Sequence, residues 1–303
     1  MQQHEPSDRS ILPQGIQVGM RSMRTTIDKY RHPALFYGLS TAIPWAFWLT
    51  AAYLSHLTPA NRIHLVAASI LGLAGLLAPT LVAFGLIWRD VELRRDISGR
   101  LFNVWAVPRT YLLLTCFLML GSILLAQAVS LLFGHSVDQF RFAGKTSFSA
   151  GIFPAWFLLL LAPLIEELAW HSYGTDCLRS RMNLLYASLL FAVYWALWHM
   201  PLSFIKDYYH ANVAASGLLY SLNFVFSLIP FVVLMNWLYY KTNRSVLVAV
   251  IFHITAGVFN ELFATHPDSK VIQTVLLLVI SVVVVIKNKE LFLSRGYAEA
   301  CQP

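Results

Sequence analysis

Eight apolar stretches, each about as long as a helix needs to cross a lipid bilayer, follow one another along the chain. They run from about 34 to 55, 64 to 88, 110 to 134, 150 to 170, 184 to 205, 216 to 240, 245 to 264 and 270 to 286. A hydrocarbon core about 30 Å thick takes roughly 20 helical residues. Lipid offers no partner to an open strand edge, so the spanning backbone has to be helical. The sequence therefore predicts an all-α, polytopic membrane helix bundle of about eight transmembrane helices. Composition agrees: 57% of the 303 residues are hydrophobic and 12% charged, where soluble domains carry about a quarter charged.

Lysine and arginine orient such a bundle, because cytoplasmic segments hold the excess of positive charge. With the amino terminus inside, the inner segments carry 17 of the 22 basic residues, and only Arg62, Arg141, Lys145, Lys206 and Lys270 fall outside. Both termini are then expected in the cytoplasm, with a polar tail over 1–33, a transmembrane domain over 34–286 and a second tail over 287–303. The first tail lacks the apolar core and cleavage site of a secretory signal, which makes the first span the expected insertion signal. The basic segment 89–109 is read as a solvated loop that orients its neighbours, in preference to one lying on the inner membrane surface. The net charge of +7 is spent on topology and forms no contiguous groove, so nucleic acid is excluded as a partner. Cys116, Cys177 and Cys301 form no CxxC pair, and Cys301 stands one place short of a prenylation signal.

The first three spans hold almost nothing ionisable. From residue 150 onward the chain places Glu166, Glu167, His171, His199, Asn223, Asn236, His253, Asn260 and Glu261 at or near membrane depth. An acidic or basic side chain at a helix centre costs about 2.5–3.5 kcal/mol, so such groups are expected to face the bundle interior. If spans four and five form a hairpin turning near residues 181–183, Glu166 and His199 each lie about 16 residues from the turn and reach the same depth. His253 enters about 12 Å from the start of its span. Glu167 and His171, four apart, share a helix face, while Glu166 is rotated from them by about 100°. One glutamate then faces a reaction centre and the other pairs with His171, which is otherwise a solvated interface residue. Pro163 is expected to kink the helix just before the pair. Asn260 either shares the pocket or joins helices, and Trp195 and Trp198 are read as packing or interface anchors. A buried carboxylate with two imidazoles is the minimum needed to activate water against an amide. No HExxH occurs in a span, and there is no GxSG or GxGD motif.

EELAWHSYG at 166–174, WALWHMP at 195–201 and FHITAGVFN at 252–260 together resemble the CPBP family of CAAX-type and bacteriocin-processing membrane proteases, over roughly residues 150–265. The resemblance implies an eight-helix, glutamate-dependent endopeptidase similar to type II CAAX prenyl proteases, acting on a peptide or protein substrate, lipid-modified or not, within the bilayer of the cell membrane. It assigns water activation to Glu166, assistance to His199 and an oxyanion contact to His253, with Glu167, His171 and Asn260 in support. These residues by themselves leave open whether a metal takes part. Were a divalent metal such as zinc bound, Glu166, His199 and His253 would hold it, as the family's frequent description as metalloproteases implies. Three positions depart from the family pattern: His171 stands for an arginine, Trp195 for a phenylalanine and Gly257 for an asparagine. Against the protease stand two alternatives, a catalytically inactive scaffold or immunity-type protein that binds a peptide without cutting it, and a proton-coupled transporter using the same groups as a relay.

Overall fold

The computed structural model describes residues 27–59, 61–101 and 107–294, so the first 26 residues and the terminus with Cys301 lie outside the described residues. In chain order the helices are α1 (Pro33–Ser55), α2 (Arg62–Trp88), α3 (Val91–Leu101), α4 (Arg109–Ser130), α5 (Ala155–Ala169), α6 (Thr175–Arg179), α7 (Leu184–Trp198), α8 (Tyr209–Ala215), α9 (Leu218–Lys241), α10 (Val246–Leu262), α11 (Pro267–Lys287) and α12 (Lys289–Leu293). Each expected span coincides with one of these helices. Five helical stretches are long and apolar enough to cross a membrane: α2, α4, α9, α11, and α7 taken together with the 3-10 turn that extends it to Phe204. α5 and α10, with 15 and 17 residues, are shorter and carry Glu166, Glu167 and His253. α5 also starts five residues later than expected: Gly151 adopts φ +66°, and Pro154 at the N-cap has no N–H to extend the ladder upstream.

α1 packs along α2, α2 along α5, α5 along α10, and α10 along α4, while α9 lies between α7 and α11. The polar helices α5, α7 and α10 thus line the interior, and exposed leucine, valine and phenylalanine side chains of α2, α4, α7, α9 and α11 face outward. Free Cys116 is half-buried and free Cys177 buried.

The described part of the segment 89–109 is not a solvated loop. Over Val91–Leu101 it forms an eleven-residue helix that buries Leu93, Ile97 and Arg100, because the 93/97/100 spacing makes one apolar face with a cation at its end. Arg100 and Arg244 meet Asp96 and Asp176 in a balanced buried cluster. Arg100 contacts Asp96 at 2.9 Å and Asp176 at 3.4 Å; Arg244 reaches Asp96 at 3.0 Å and holds both oxygens of Asp176. Tyr240 and Tyr239 donate to Asp176 at 2.8 and 2.9 Å, and Tyr30 donates to Asp96 at 2.7 Å. Arg244 sits at φ +61° in the tight turn between α9 and α10. This cluster closes the end of the bundle at which α5 runs out and α7 begins.

Burial alone would push the Asp176 carboxyl up; Arg244 and then Arg100 overcome it and hold the group below the usual carboxylate range. A folded pKa below the unfolded value of about 3.9 means that the stabilisation is fully present above that value. It is lost as pH falls through the folded pKa. Asp176→Asn strands Arg244 in a buried site and is expected to cost about 3–5 kcal/mol. Denaturant unfolding in detergent at neutral pH measures this, and the gap between variant and wild type should narrow only as the pH falls below about 4.

Candidate active site

α5 does not stop at Ala169. Its helical path continues through a π turn, Trp170–Gly174, into α6. The helix also runs through Pro163, so its irregularity falls after the glutamate pair and not before it. A π turn widens the ladder and frees carbonyls, and such turns recur at functional sites. Here the His171 carbonyl accepts from Tyr239 Oη at 2.8 Å. Gly174 ends the turn against α1, where an added Cβ would come within 2.8 Å of Phe36; only glycine permits that approach.

The adjacent glutamates face different surroundings, as their 100° separation on a helix requires. Glu167 is fully buried. Its Oε2 contacts His171 Nδ1, and its Oε1 meets His253 Nδ1 at 2.7 Å. His171 is itself fully buried, so the solvated reading of that residue does not hold. Its Nε2 reaches Asn236 Oδ1 at 3.0 Å, and Asn236 Nδ2 donates to Ser188 Oγ at 2.8 Å. Both nitrogens of His171 face acceptors.

Glu166 points elsewhere. Its Oε2 accepts from Trp195 Nε1 at 3.0 Å and from Trp170 Nε1 at 3.4 Å. His199 Nδ1 donates to the Trp195 carbonyl at 2.7 Å, which fixes the tautomer and leaves Nε2 as an acceptor. The Trp195 ring lies 5.4 Å from that of His199 and 5.2 Å from that of His253. Glu166, His199 and His253 all border one cavity of about 260 Å³, together with Gly257 and Asn260. Asn260 Nδ2 is shared between Tyr209 Oη and Glu261 Oε1, each at 3.2 Å. A second cavity, about 420 Å³, reaches between α1 and α2 and is also bordered by Glu166 and His199. Both cavities extend toward the end of the bundle opposite the Asp176 cluster, where α5 begins.

Among the described residues, the group of three His, Cys, Asp or Glu side chains whose ligand atoms lie within 4.8 Å of one another is His135, His266 and Asp268. Glu166, His199 and His253 do not make such a group, so they do not fit a closed three-ligand metal centre.

Three participants escape a reading of the sequence. Trp198 packs as expected, donating to Ser40 O at 2.8 Å, but Trp195 is the hub of the site. Tyr208 and His210 line both cavities, and the His210 ring stacks on His199 at 4.8 Å. Burial, with His199 adding to it, drives the His210 pKa well below the ordinary histidine range, so the ring stays neutral. The only signal for these residues is the polar-aromatic run DYYH at 207–210, just after the helix that carries His199.

The structure thus gathers a buried glutamate and two histidines from separate helices at one cavity. The family model described as type II CAAX prenyl endopeptidase Rce1-like matches residues 148–259. The chain is also 35% identical, over 272 residues, to a protein named CAAX prenyl protease 2 from Methanococcus maripaludis, an alignment spanning 89% of this chain and 99% of that one. The chain belongs to this family of Rce1-like intramembrane endopeptidases, and it is a multi-pass membrane enzyme. Neither the inactive scaffold nor the transporter is favoured by these relationships.

Trp195→Phe restores the residue type of the family pattern and removes one N–H from Glu166 while preserving the stacked ring. Cleavage assays should show kcat reduced about tenfold with KM little changed, since an interaction made at the reacting groups and not at the substrate is lost.

Proposed function

We propose that Glu166 is the general base of a peptide-bond hydrolysis carried out within the membrane, without a metal in the reaction path. The observation that carries this reading is the shared cavity, which both Glu166 and His199 line, with His199 Nδ1 engaged by the Trp195 carbonyl so that Nε2 is left for a water. A water between them loses a proton to Glu166 as its oxygen attacks the carbonyl carbon, and His199 orients it. His253, with its charge balanced by Glu167, donates from Nε2 to the oxyanion. Glu166 then returns the proton to the amide nitrogen as the C–N bond breaks. Glu167 and His171 position the two histidine-bearing helices, and Asn260 acts one step removed, through Tyr209.

The substrate is a peptide or protein bearing a carboxy-terminal CAAX-type sequence, with a lipid on its cysteine. The apolar lining of the larger cavity, including Trp48, Leu65, Leu73, Leu76 and Leu158, supports an acyl or prenyl occupant there. The enzyme crosses the cell membrane eight times with both termini in the cytoplasm. The bias of 17 basic residues to 5 supports that orientation.

Purified protein reconstituted in liposomes, given a fluorogenic CAAX peptide with and without a prenylated cysteine, tests the mechanism. Glu166→Gln and His199→Ala should each lower kcat/KM by about 10²-fold or more, with unchanged thermal unfolding. Undiminished turnover in both variants would sink the mechanism. Equal KM for the prenylated and plain peptides would remove the lipid from the substrate while leaving the chemistry intact.

A further inference from the structure

At the end of the bundle opposite the Asp176 cluster, the turn after α4 and the start of α11 bring His135, His266 and Asp268 together, with ligand atoms all within 4.8 Å of one another. His135 Nε2 lies 3.4 Å from Asp268 Oδ2, and His266 Nδ1 lies 3.5 Å from the same oxygen. The two imidazole rings are 4.3 Å apart and tilted by 36°. Charge-assisted N–H···O bonds close to about 2.7–2.9 Å, so these contacts are too long to be good hydrogen bonds. They match another spacing. A tetrahedral ion with bonds of about 2.0–2.1 Å to nitrogen and oxygen holds its ligands about 3.3–3.4 Å apart.

The surroundings fix this geometry. Tyr220 Oη, from α9, donates to Asp268 Oδ1 at 2.9 Å and so turns Oδ2 toward the imidazoles, the outer-shell orientation typical of metal ligands. Gly134 at φ +87° turns the chain after α4 and presents His135. His266 Nδ1 now accepts a long bond of 3.2 Å from Asp268 N, and that lone pair is the one an ion would take. The partial positive charge at the start of α11 opposes a cation, and the Asp268 carboxylate offsets it.

We propose that His135, His266 and Asp268 form a binding site for a borderline divalent transition cation of the zinc class, remote from Glu166. Two imidazoles and one carboxylate suit such an ion, whereas calcium would require six or more oxygen ligands. Solvent completes the shell, because His266 is exposed. The helices tied together, α4, α9 and α11, are those that supply Met119, Phe231 and Leu277 to the wall of the smaller cavity. The ion would brace that wall from outside the chemistry. A zinc content in this enzyme would then say nothing about its mechanism.

Equilibrium dialysis of metal-free, full-length protein in detergent against zinc, paired with thermal unfolding with and without zinc, tests the site without reference to cleavage. Wild type and Glu166→Gln should bind zinc equally and show the same zinc-dependent rise in Tm. His135→Ala and Asp268→Asn should each weaken zinc binding about tenfold or more and abolish that rise, with metal-free Tm unchanged; in Asp268→Asn the amide oxygen still accepts from Tyr220. Failure of the wild type to take up zinc, uptake undiminished in both site variants, or loss of uptake in Glu166→Gln would overturn the proposal.

Discussion

Glu167 is an ionisable group with no exposed surface, and both of its oxygens are occupied, by His171 and by His253. Burying a carboxylate is tolerable only when it is paired and hydrogen-bonded. Through His171, Asn236 and Ser188, the chain of contacts runs from α5 to α9 and α7, and through His253 it runs to α10. One carboxylate therefore registers four helices against each other. The meeting of Glu166, His199 and His253 at one cavity follows from that registration, since a shift of any of these helices would leave a buried charge unmatched.

The neighbouring glutamate differs in what it meets. Glu166 has indole donors at one oxygen and two cavities beside it. Adjacent residues of one helix thus divide into an anion paired at both oxygens and one that borders open cavities, because about 100° of rotation separates a fully paired interior from an open one. The π turn carries the same logic further: the single hydrogen of the Tyr239 hydroxyl is shared between the His171 carbonyl and Asp176. The ion cluster at the closed end and the polar chamber are accordingly one connected network.

Much of this was legible in residue spacing. The i,i+4 relation of Glu167 and His171, and the equal distances of Glu166 and His199 from the hairpin turn, follow from helix geometry alone. The helices likewise follow from apolar run length. What spacing could not reveal depends on tertiary direction. That Trp195 Nε1 turns onto Glu166 is a matter of a side-chain rotamer set by Phe191 and Phe231 packed on its ring. α3 escaped because five charged residues conceal an apolar face of Leu93 and Ile97, and its docking depends on Asp176 and Arg244, far away in sequence. His210 lies outside every expected span and reaches His199 only once the chain has turned back over the bundle.

Glu166 and His199 stand in the wall common to two chambers, so the site is a partition and not the floor of a single pit. A polypeptide laid across a partition has one part on each side of the bond that faces the carboxylate. On the proposed mechanism, the two fragments of a cut chain lie on opposite sides of that wall and can leave it separately.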